Sequence, residues 1–149
     1  MSGSDELLTI ERVAVLQRVD MFSMVPGHVL AGVAEVLEEV RFAANEPIML
    51  RGAVEDWLFV VADGTVRVHI GDQTLVERGV GISIGELAIL SPAPRSASVT
   101  ALEPSLLLRL RRAPFEELLE DRAEIGRAVI AALARRLQEL AHRDAVQAR

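Results

Sequence analysis

The sequence contains no cysteine, so neither a disulfide bond nor a thiolate metal site can form. Its three histidines fall in different predicted elements and lack the spacing of metal ligands. We therefore predict no metal centre and no cofactor, and we expect His28, His69 and His142 to be isolated surface side chains. Tyrosine is absent as well, and Trp57 is the single tryptophan, so few side chains can stack on an aromatic ligand.

Long apolar runs are also missing. No stretch of the 149 residues approaches the length of a membrane-spanning helix, and the charged, serine-containing start differs from a secretory signal. The sequence thus predicts a cytoplasmic protein without membrane insertion. Lysine is absent, the 16 basic residues are all arginine, and the formal net charge is -6. This acidity makes nucleic acid a poor candidate partner.

Catalytic constellations are equally hard to find. No serine has a histidine beside it in the sequence, and none lies in the glycine-flanked turn of a nucleophile elbow. We therefore predict no catalytic residue and no enzyme activity. Hydrophobic residues, in contrast, make up 50% of the chain, which is enough for one domain with a sizeable core.

The middle of the chain has the period-two pattern of β-strands. In the run 65–70, Val66, Val68 and Ile70 alternate with Arg67 and His69, so the aliphatic side chains are expected to face the core. The preceding Asp63-Gly64 is a hairpin signal, and Gly71-Asp72 is a second turn. Short strands with frequent turns predict a β-sandwich or jelly roll. The predicted strands cover 40–42, 48–50, 57–61, 65–70, 75–76, 99–102 and 106–110.

Helical patterns flank these strands on both sides. We predict helices at about 5–19, capped by Asp5, and at 26–39, with Pro26 in the first turn. A short helix opening at Pro114 and a long one at 122–143, capped by Asp121, follow the last strand. The domain boundaries are then 1–39 for the N-terminal helices, 40–112 for the β-barrel and 113–149 for the C-terminal helices. The fold class is mainly β with flanking helices.

The long C-terminal helix carries two apolar stripes. One consists of Ile125, Val129 and Ala132, and is sufficient to pack on the barrel. The other consists of Ile130, Leu133, Leu137 and Leu140, at near-heptad spacing. This second stripe either meets a partner helix, as in a homodimer, or widens the buried face.

The stretch 84–98 combines a glycine, two opposite charges and several small or hydroxyl-bearing residues. Gly85 permits a tight turn, and Glu86 and Arg95 are opposite charges in a run of apolar and small residues. The arginine fork, two nearby hydroxyls and the free amides of a short helix predict an anion pocket. A carboxylate nine positions before the arginine can accept a hydrogen bond from a sugar. A phosphate joined to a ribose fits this combination; a structural Glu86–Arg95 pair is the alternative.

The run GELAILSPAPRSAS, from Gly85 to Ser98, resembles the phosphate-binding cassette of the cyclic nucleotide-binding domain, found in catabolite activator proteins and kinase A regulatory subunits. The resemblance extends over about 15–140 and implies a jelly-roll barrel flanked by helices. It also implies that Glu86 holds the ribose 2′-hydroxyl and Arg95 the cyclic phosphate. The implied ligand is cAMP, with cGMP as the alternative. The implied ligand-binding residues are Gly85, Glu86, Leu87, Ala88, Arg95, Ser96, Ala97 and Ser98.

Several positions depart from the family pattern. Asn45 stands where a glycine is usual, Ala53 replaces a common acid, Ile84 replaces a common phenylalanine, and Pro92 lies where many members have glycine. Pro92 either stiffens the loop or displaces amides that the phosphate needs. The last helix also lacks an aromatic residue to cover the base. Candidate lid residues are Leu133, Arg136, Leu137 and Leu140.

These observations predict a regulatory module that senses a cyclic nucleotide and relays its binding through the C-terminal helix, with no output domain on this chain. The alternative is a ligand-free scaffold of the same fold that makes protein–protein contacts. A homodimer through the last helix, or a larger parent protein, are the expected partners besides the nucleotide.

Overall fold

The computed structural model describes residues 7–147. Four α-helices and eight strands follow one another, with short 3-10 turns at Asp20–Phe22 and Glu86–Ile89. The helices are α1 (Thr9–Leu16), α2 (Gly27–Glu35), α3 (Arg112–Asp121) and α4 (Ala123–Gln147). The strands are β1 (Glu38–Phe42), β2 (Pro47–Met49), β3 (Trp57–Asp63), β4 (Val66–Ile70), β5 (Gln73–Arg78), β6 (Ser83–Ile84), β7 (Ser98–Ala101) and β8 (Ser105–Arg111).

The strands form two antiparallel sheets of four strands each, in the orders β1-β8-β3-β6 and β2-β7-β4-β5. The predicted class, mainly β with flanking helices in a jelly-roll arrangement, is confirmed. Strand β8 lies in the middle of the first sheet, between β1 and β3. Both faces of β8 are covered, because helices lie on one face of the first sheet and the second sheet lies on the other. This explains why leucines occupy consecutive positions 106–108 of the strand. Leu108 and Leu110 pack with the helices, whereas Leu107 packs between the sheets.

Each face of the first sheet therefore has its own hydrophobic cluster. On the helical side, Phe22 and Phe115 meet edge to face with ring centroids 6.1 Å apart. Between the sheets, Phe42 and Phe59 make a similar contact at 5.8 Å. Within α4 the first predicted stripe, Ile125, Val129 and Ala132, is buried as expected. The helices are thus held to the barrel by a core separate from the one that joins the sheets.

Trp57 lies where β3 begins, at the edge of the cluster between the sheets. The guanidinium groups of Arg109 and Arg111 lie 5.5 and 5.6 Å from the centroid of its indole ring. Both arginines donate to the same carboxylate oxygen of Glu38, at 3.2 and 2.6 Å. The indole is therefore held in a fixed position by cation–π contacts on a charged rim.

The hairpin predicted at Asp63-Gly64 is wrong. Strands β3 and β4 lie in different sheets, so this turn carries the chain across the sandwich. Gly64 has a φ of +101°, and a Cβ there would lie 2.8 Å from the Cα of Ser105. The glycine is thus required by close backbone approach at a crossing. The Gly71-Asp72 turn does connect a hairpin, in which Ile70 pairs with Gln73.

The helix ends differ from the predicted ones by several residues. Helix α1 covers only Thr9–Leu16, and the predicted cap Asp5 lies outside the described residues. Helix α2 ends at Glu35, because the chain turns there to begin β1 at Glu38. Asp121 ends α3 instead of capping α4. Periodicity identifies these helices, but tertiary packing sets where they stop.

Two predictions about single residues have different outcomes. Asn45 adopts a left-handed conformation, with a φ of +66°, as expected for a residue that replaces glycine. His69, expected at the surface, is half-buried, and its ring nitrogens lie 2.8 Å from the Gly71 carbonyl and from the Thr100 hydroxyl. His28 and His142 are exposed. Within residues 7–147, no helix is long and apolar enough to cross a membrane.

Arg12 ties α1 to the end of α2. Its Nη1 donates to the Ala34 and Leu37 carbonyls, each at 3.0 Å, in the segment where α2 ends and the chain approaches β1. Its Nη2 donates to Glu39 at 2.8 Å, and Glu39 also accepts from the Leu7 amide at 2.9 Å. Burial raises the pKa of Glu39, but hydrogen bonds from Arg12 and Leu7 and the nearby arginine charges outweigh it and lower the pKa overall.

We predict that Glu39→Gln lowers the free energy of unfolding at pH 7 by roughly 1–3 kcal/mol, the value of hydrogen bonds to a charged group. A lowered folded-state pKa contributes stability that is present above the usual value of 4.5 and disappears as pH falls through the lowered pKa. Urea unfolding measured from pH 7 to pH 3 should therefore show that the difference in unfolding free energy between the parent and Glu39→Gln becomes smaller below about pH 4.5. Glu120→Gln, at an exposed position of α3, is the control. A constant difference across this range would contradict the prediction.

Candidate functional site

The stretch 84–98, called the cassette below, leaves the first sheet at β6 and enters the second at β7. Ile89, 1% exposed, anchors its 3-10 turn in the core on the helical side. The loop at residues 91–94 is exposed. Beyond it, the Arg95 amide donates to the Ala53 carbonyl and the Arg95 carbonyl accepts from the Gly52 amide, both at 2.8 Å. The cassette is therefore fixed at both ends of an otherwise exposed loop.

Arg95 is buried, with an exposed fraction of 6%. Its Nη2 donates to the Trp57 carbonyl at 2.6 Å and its Nε to Glu55 at 3.3 Å. Its Nη1 lies 3.5 Å from the Gly85 carbonyl, and a Cβ at Gly85 would collide with that nitrogen. Gly85 also has a φ of +73°, so both space and backbone conformation require glycine here. The glycine–arginine pair is thus a close-packed unit.

An arginine in an anion pocket without ligand is ordinarily solvated, whereas Arg95 is buried. The physical reason is Glu55, which supplies the compensating carboxylate, together with two carbonyls. Glu55 is a site residue that the sequence reasoning missed. The sequence did contain a signal for Glu55. Ala53 replaces an acid that is common in the family, and Glu55, two residues later in the same loop, can take the place of that acid.

Glu86 has partners of its own. One carboxylate oxygen accepts from the Ser83 hydroxyl at 2.9 Å, and the other lies 3.4 Å from Nη1 of Arg136 on α4. The same nitrogen of Arg136 donates to Asp20 at 2.8 Å. Glu86 and Arg95, considered above as a structural pair, therefore each bond to other residues. Arg136 joins the cassette, α4 and the N-terminal segment.

Two cavities meet at the cassette. The outer one, of about 600 Å³, lies between the N-terminal segment, the cassette and α4. The inner one, of about 200 Å³, is lined by the aliphatic side chains of Met49, Val68, Ile84 and Val99 and by Ala97. Three residues line both cavities: Gly85, Arg95 and Ser96. The outer lining consists of residues 18–20, 81–83, 85–88, 91, 93–96 and 136.

Most of the predicted cassette residues border one of these cavities. Gly85 to Ala88 and Ser96 line the outer one, and Ala97 lines the inner one. The Ala88 amide, expected to bind phosphate, instead donates to the Gly85 carbonyl at 3.0 Å. Ser98 lines neither cavity, and its hydroxyl accepts from the Arg51 amide at 3.0 Å.

The four lid candidates on α4 lie in different surroundings. Arg136 alone among them lines the outer cavity. Leu133 is half-buried and packs on the helical-side core. Leu137 and Leu140 are exposed, at 67% and 43%, and Ile130 at 68%. The part of the second stripe beyond Leu133 therefore faces away from the barrel. Pro92 is exposed and lines neither cavity.

Within residues 7–147 no group of three or more histidine, aspartate or glutamate side chains is arranged to hold a metal ion.

Residues 39–122 match the cyclic nucleotide-binding domain family. The chain belongs to this family. A cAMP-dependent protein kinase regulatory subunit from Blastocladiella emersonii is 35% identical over 94 residues, which cover 60% of this chain and 23% of that protein. The Cyclic AMP receptor protein from Thermus thermophilus is 36% identical over 103 residues, covering 66% and 48%. The chain thus spans less than half the length of either relative.

The same relationship is visible in a solved structure. The N-terminal domain of a transcriptional regulator from Streptomyces coelicolor superposes with a TM-score of 0.81 at 32% identity, covering 86% of this chain and 92% of that one. The resemblance inferred from the cassette is therefore confirmed as family membership.

We predict that Arg95→Leu lowers the free energy of unfolding by roughly 1–3 kcal/mol even without ligand, because Glu55 and the Trp57 carbonyl lose a charged donor. Urea unfolding of the purified chain measures this. Arg78→Leu, at an exposed position of β5 where the side chain bonds only to the adjacent Glu77 carbonyl, is the matched control. An Arg95→Leu midpoint equal to that of the parent would mean that the buried contacts contribute nothing.

Proposed function

We propose that this chain binds a cyclic nucleotide at the cassette and acts as a sensor module without catalytic activity. The observation that carries the proposal is the buried Arg95 beside Ser96, on the wall that the two cavities share. A guanidinium shielded from water makes stronger contacts with a phosphate than a solvated one does. The first candidate ligand is cAMP, and the second is cGMP.

Phosphate binding requires a change of partners at Arg95. The arginine is neutralised by Glu55, whose side chain is 21% exposed and has access to water. We infer that an incoming cyclic phosphate replaces this carboxylate, which then turns to solvent. The bonds from Arg95 to the Trp57 and Gly85 carbonyls keep the guanidinium in place during the exchange. The Ser96 hydroxyl is a second donor on the same wall.

Base and sugar are assigned by the chemistry of the surrounding residues. The aliphatic side chains of Met49, Val68 and Val99 suit the flat faces of a purine. Because Ser98 is bonded to Arg51 and lines neither cavity, the inner walls offer little to the polar edge of guanine, which favours adenine. Glu86 follows Gly85 in the chain and lines the outer cavity, and its carboxylate is the proposed acceptor for the ribose 2′-hydroxyl.

Relay through α4 is proposed from Arg136. Its ion pairs with Glu86 and Asp20 connect the last helix to the cassette. If the ribose takes over Glu86, Arg136 loses that contact, and ligand binding favours a different position of the helix. The exposed Ile130, Leu137 and Leu140 then offer a face for a second copy or for a larger parent protein. A cytoplasmic setting stays a prediction.

A ligand-free scaffold is the second candidate, and one observation favours it. Arg95 is already satisfied by Glu55 and two carbonyls, so the cassette is stable without a ligand.

Calorimetry distinguishes the two functions. We predict that the purified chain binds cAMP, and that its 2′-deoxy analogue binds roughly tenfold more weakly or worse, since a hydrogen bond to a carboxylate is lost. Glu86→Gln should reduce this preference, whereas Glu120→Gln on α3 should preserve it. Absence of binding heat with both cAMP and cGMP would support the function of a ligand-free scaffold. Equal affinity for cAMP and its 2′-deoxy analogue would mean that Glu86 does not bind the ribose.

Hydrogen exchange tests the relay. Saturating cAMP should alter amide protection in residues 85–98 and in α4 beyond Val129, because Arg136 connects the two. Strands β3 and β4 should change little, since each lies between two hydrogen-bonded neighbours in its sheet. In Arg136→Gln the change should stay in the cassette. A change confined to the cassette in the parent chain would mean capture of the ligand without relay.

A further inference from the structure

The outer cavity has features that the proposed nucleotide site does not use. Its volume, about 600 Å³, is within the range of small-molecule sites. It lies between the end of α1, the turn before β6, the cassette and α4. The inner cavity is smaller and its lining is mostly aliphatic apart from Arg95 and Ser96, whereas five charged side chains border the outer one.

Three arginines line this outer cavity, and two of them have carboxylate partners. Arg95 is paired with Glu55, and Arg136 with Asp20 and Glu86. Arg18 is exposed and makes no hydrogen bond or ion pair with any residue between 7 and 147. The three carboxylates around the cavity, Glu55, Asp20 and Glu86, are all engaged with the other two arginines, so the N–H groups of Arg18 are left to donate to an oxyanion that enters the cavity.

The side chain of Arg18 lies close to the backbone at Gly81. Gly81 has a φ of +92°, and a Cβ there would lie 2.8 Å from Nε of Arg18. The arginine side chain therefore packs against bare backbone at the turn before β6. A side chain at this turn would displace the guanidinium, so the site is shaped by the absence of a Cβ.

We propose that the outer cavity is a second binding site, which takes a small phosphorylated anion between Arg18 and Arg136. Arg136 is half-exposed, and its contacts with Asp20 and Glu86 use one nitrogen of the guanidinium. The pair with Asp20 is exposed on both sides and therefore weak, whereas the Glu86 side chain is 14% exposed. The remaining N–H groups of Arg136 can bind an oxyanion in a fork. No residue of the aliphatic inner wall takes part.

An anion in this cavity is coupled to the cassette through Arg136. If the anion draws Arg136 toward Arg18, the contact between Arg136 and Glu86 breaks. The Glu86 carboxylate then keeps only the hydrogen bond from the Ser83 hydroxyl. A released Glu86 is available to the ribose, so the anion strengthens nucleotide binding, and by linkage the nucleotide strengthens anion binding. This coupling rests on the proposed function, whereas the anion site itself does not.

Titration calorimetry of the full chain with inorganic pyrophosphate, at constant ionic strength, tests the site. We expect the parent to bind and Arg18→Gln to bind roughly tenfold more weakly or worse, as charge-assisted bonds are lost. Arg18→Lys keeps the positive charge but lacks the forked guanidinium, so its affinity for pyrophosphate should lie between those of the parent and Arg18→Gln. Arg78→Gln on β5, whose side chain borders neither cavity, should bind like the parent. Absence of binding, or equal binding by parent and Arg18→Gln, overturns the site.

A second titration measures the coupling. Saturating pyrophosphate should raise the affinity of the parent for cAMP roughly fivefold or more, and should leave that of Arg18→Gln unchanged. Competition between pyrophosphate and cAMP would overturn a separate site, because both would then occupy Arg95. If cAMP fails to bind while pyrophosphate binding still depends on Arg18, the proposed function is wrong and the anion site stands.

Discussion

Burial of the Arg95 charge is the constraint on which the rest of the site depends. A buried guanidinium is tolerated only when its donors are satisfied, and here Glu55 and the Trp57 and Gly85 carbonyls do so. Gly85 has no Cβ because the guanidinium occupies that space. Backbone bonds from Arg95 to residues 52 and 53 hold the loop that supplies Glu55. The cassette, the β2–β3 loop and β3 are therefore assembled around one cation.

The position of the cassette follows from the sandwich. It connects β6, at the edge of one sheet, to β7, in the interior of the other, and its 3-10 turn is anchored by Ile89 on the helical side. A ligand held there contacts an element that reaches both sheets and the helices. Arg136 adds the only described ion pair between α4 and the cassette in residues 7–147. The cassette and α4 are thus joined by a direct contact.

Local pattern predicts seven of the eight strands in the described residues and the turn at residues 71–72, because side-chain periodicity and glycine or proline positions are short-range properties. It misses β6, which is only two residues long. It does not predict the partners of the charges. Glu55 lies 40 residues from Arg95 and Arg136 lies 50 from Glu86, so only tertiary packing brings them together. The Asp63-Gly64 turn has the composition of a hairpin and connects two sheets instead. The turn sequence specifies a backbone shape but not the pairing that follows, since β3 pairs with β8 whereas β4 pairs with β5 and β7.

The place of Trp57 has an optical consequence. It is the single tryptophan of a chain without tyrosine, so the ultraviolet fluorescence of this protein comes almost entirely from one indole. That indole lies against two guanidinium groups, while the carbonyl of the same residue holds Arg95. A shift of the arginine changes the electric field and the packing at the fluorophore. Emission wavelength and quenching are therefore expected to respond to a shift of Arg95, with no added label.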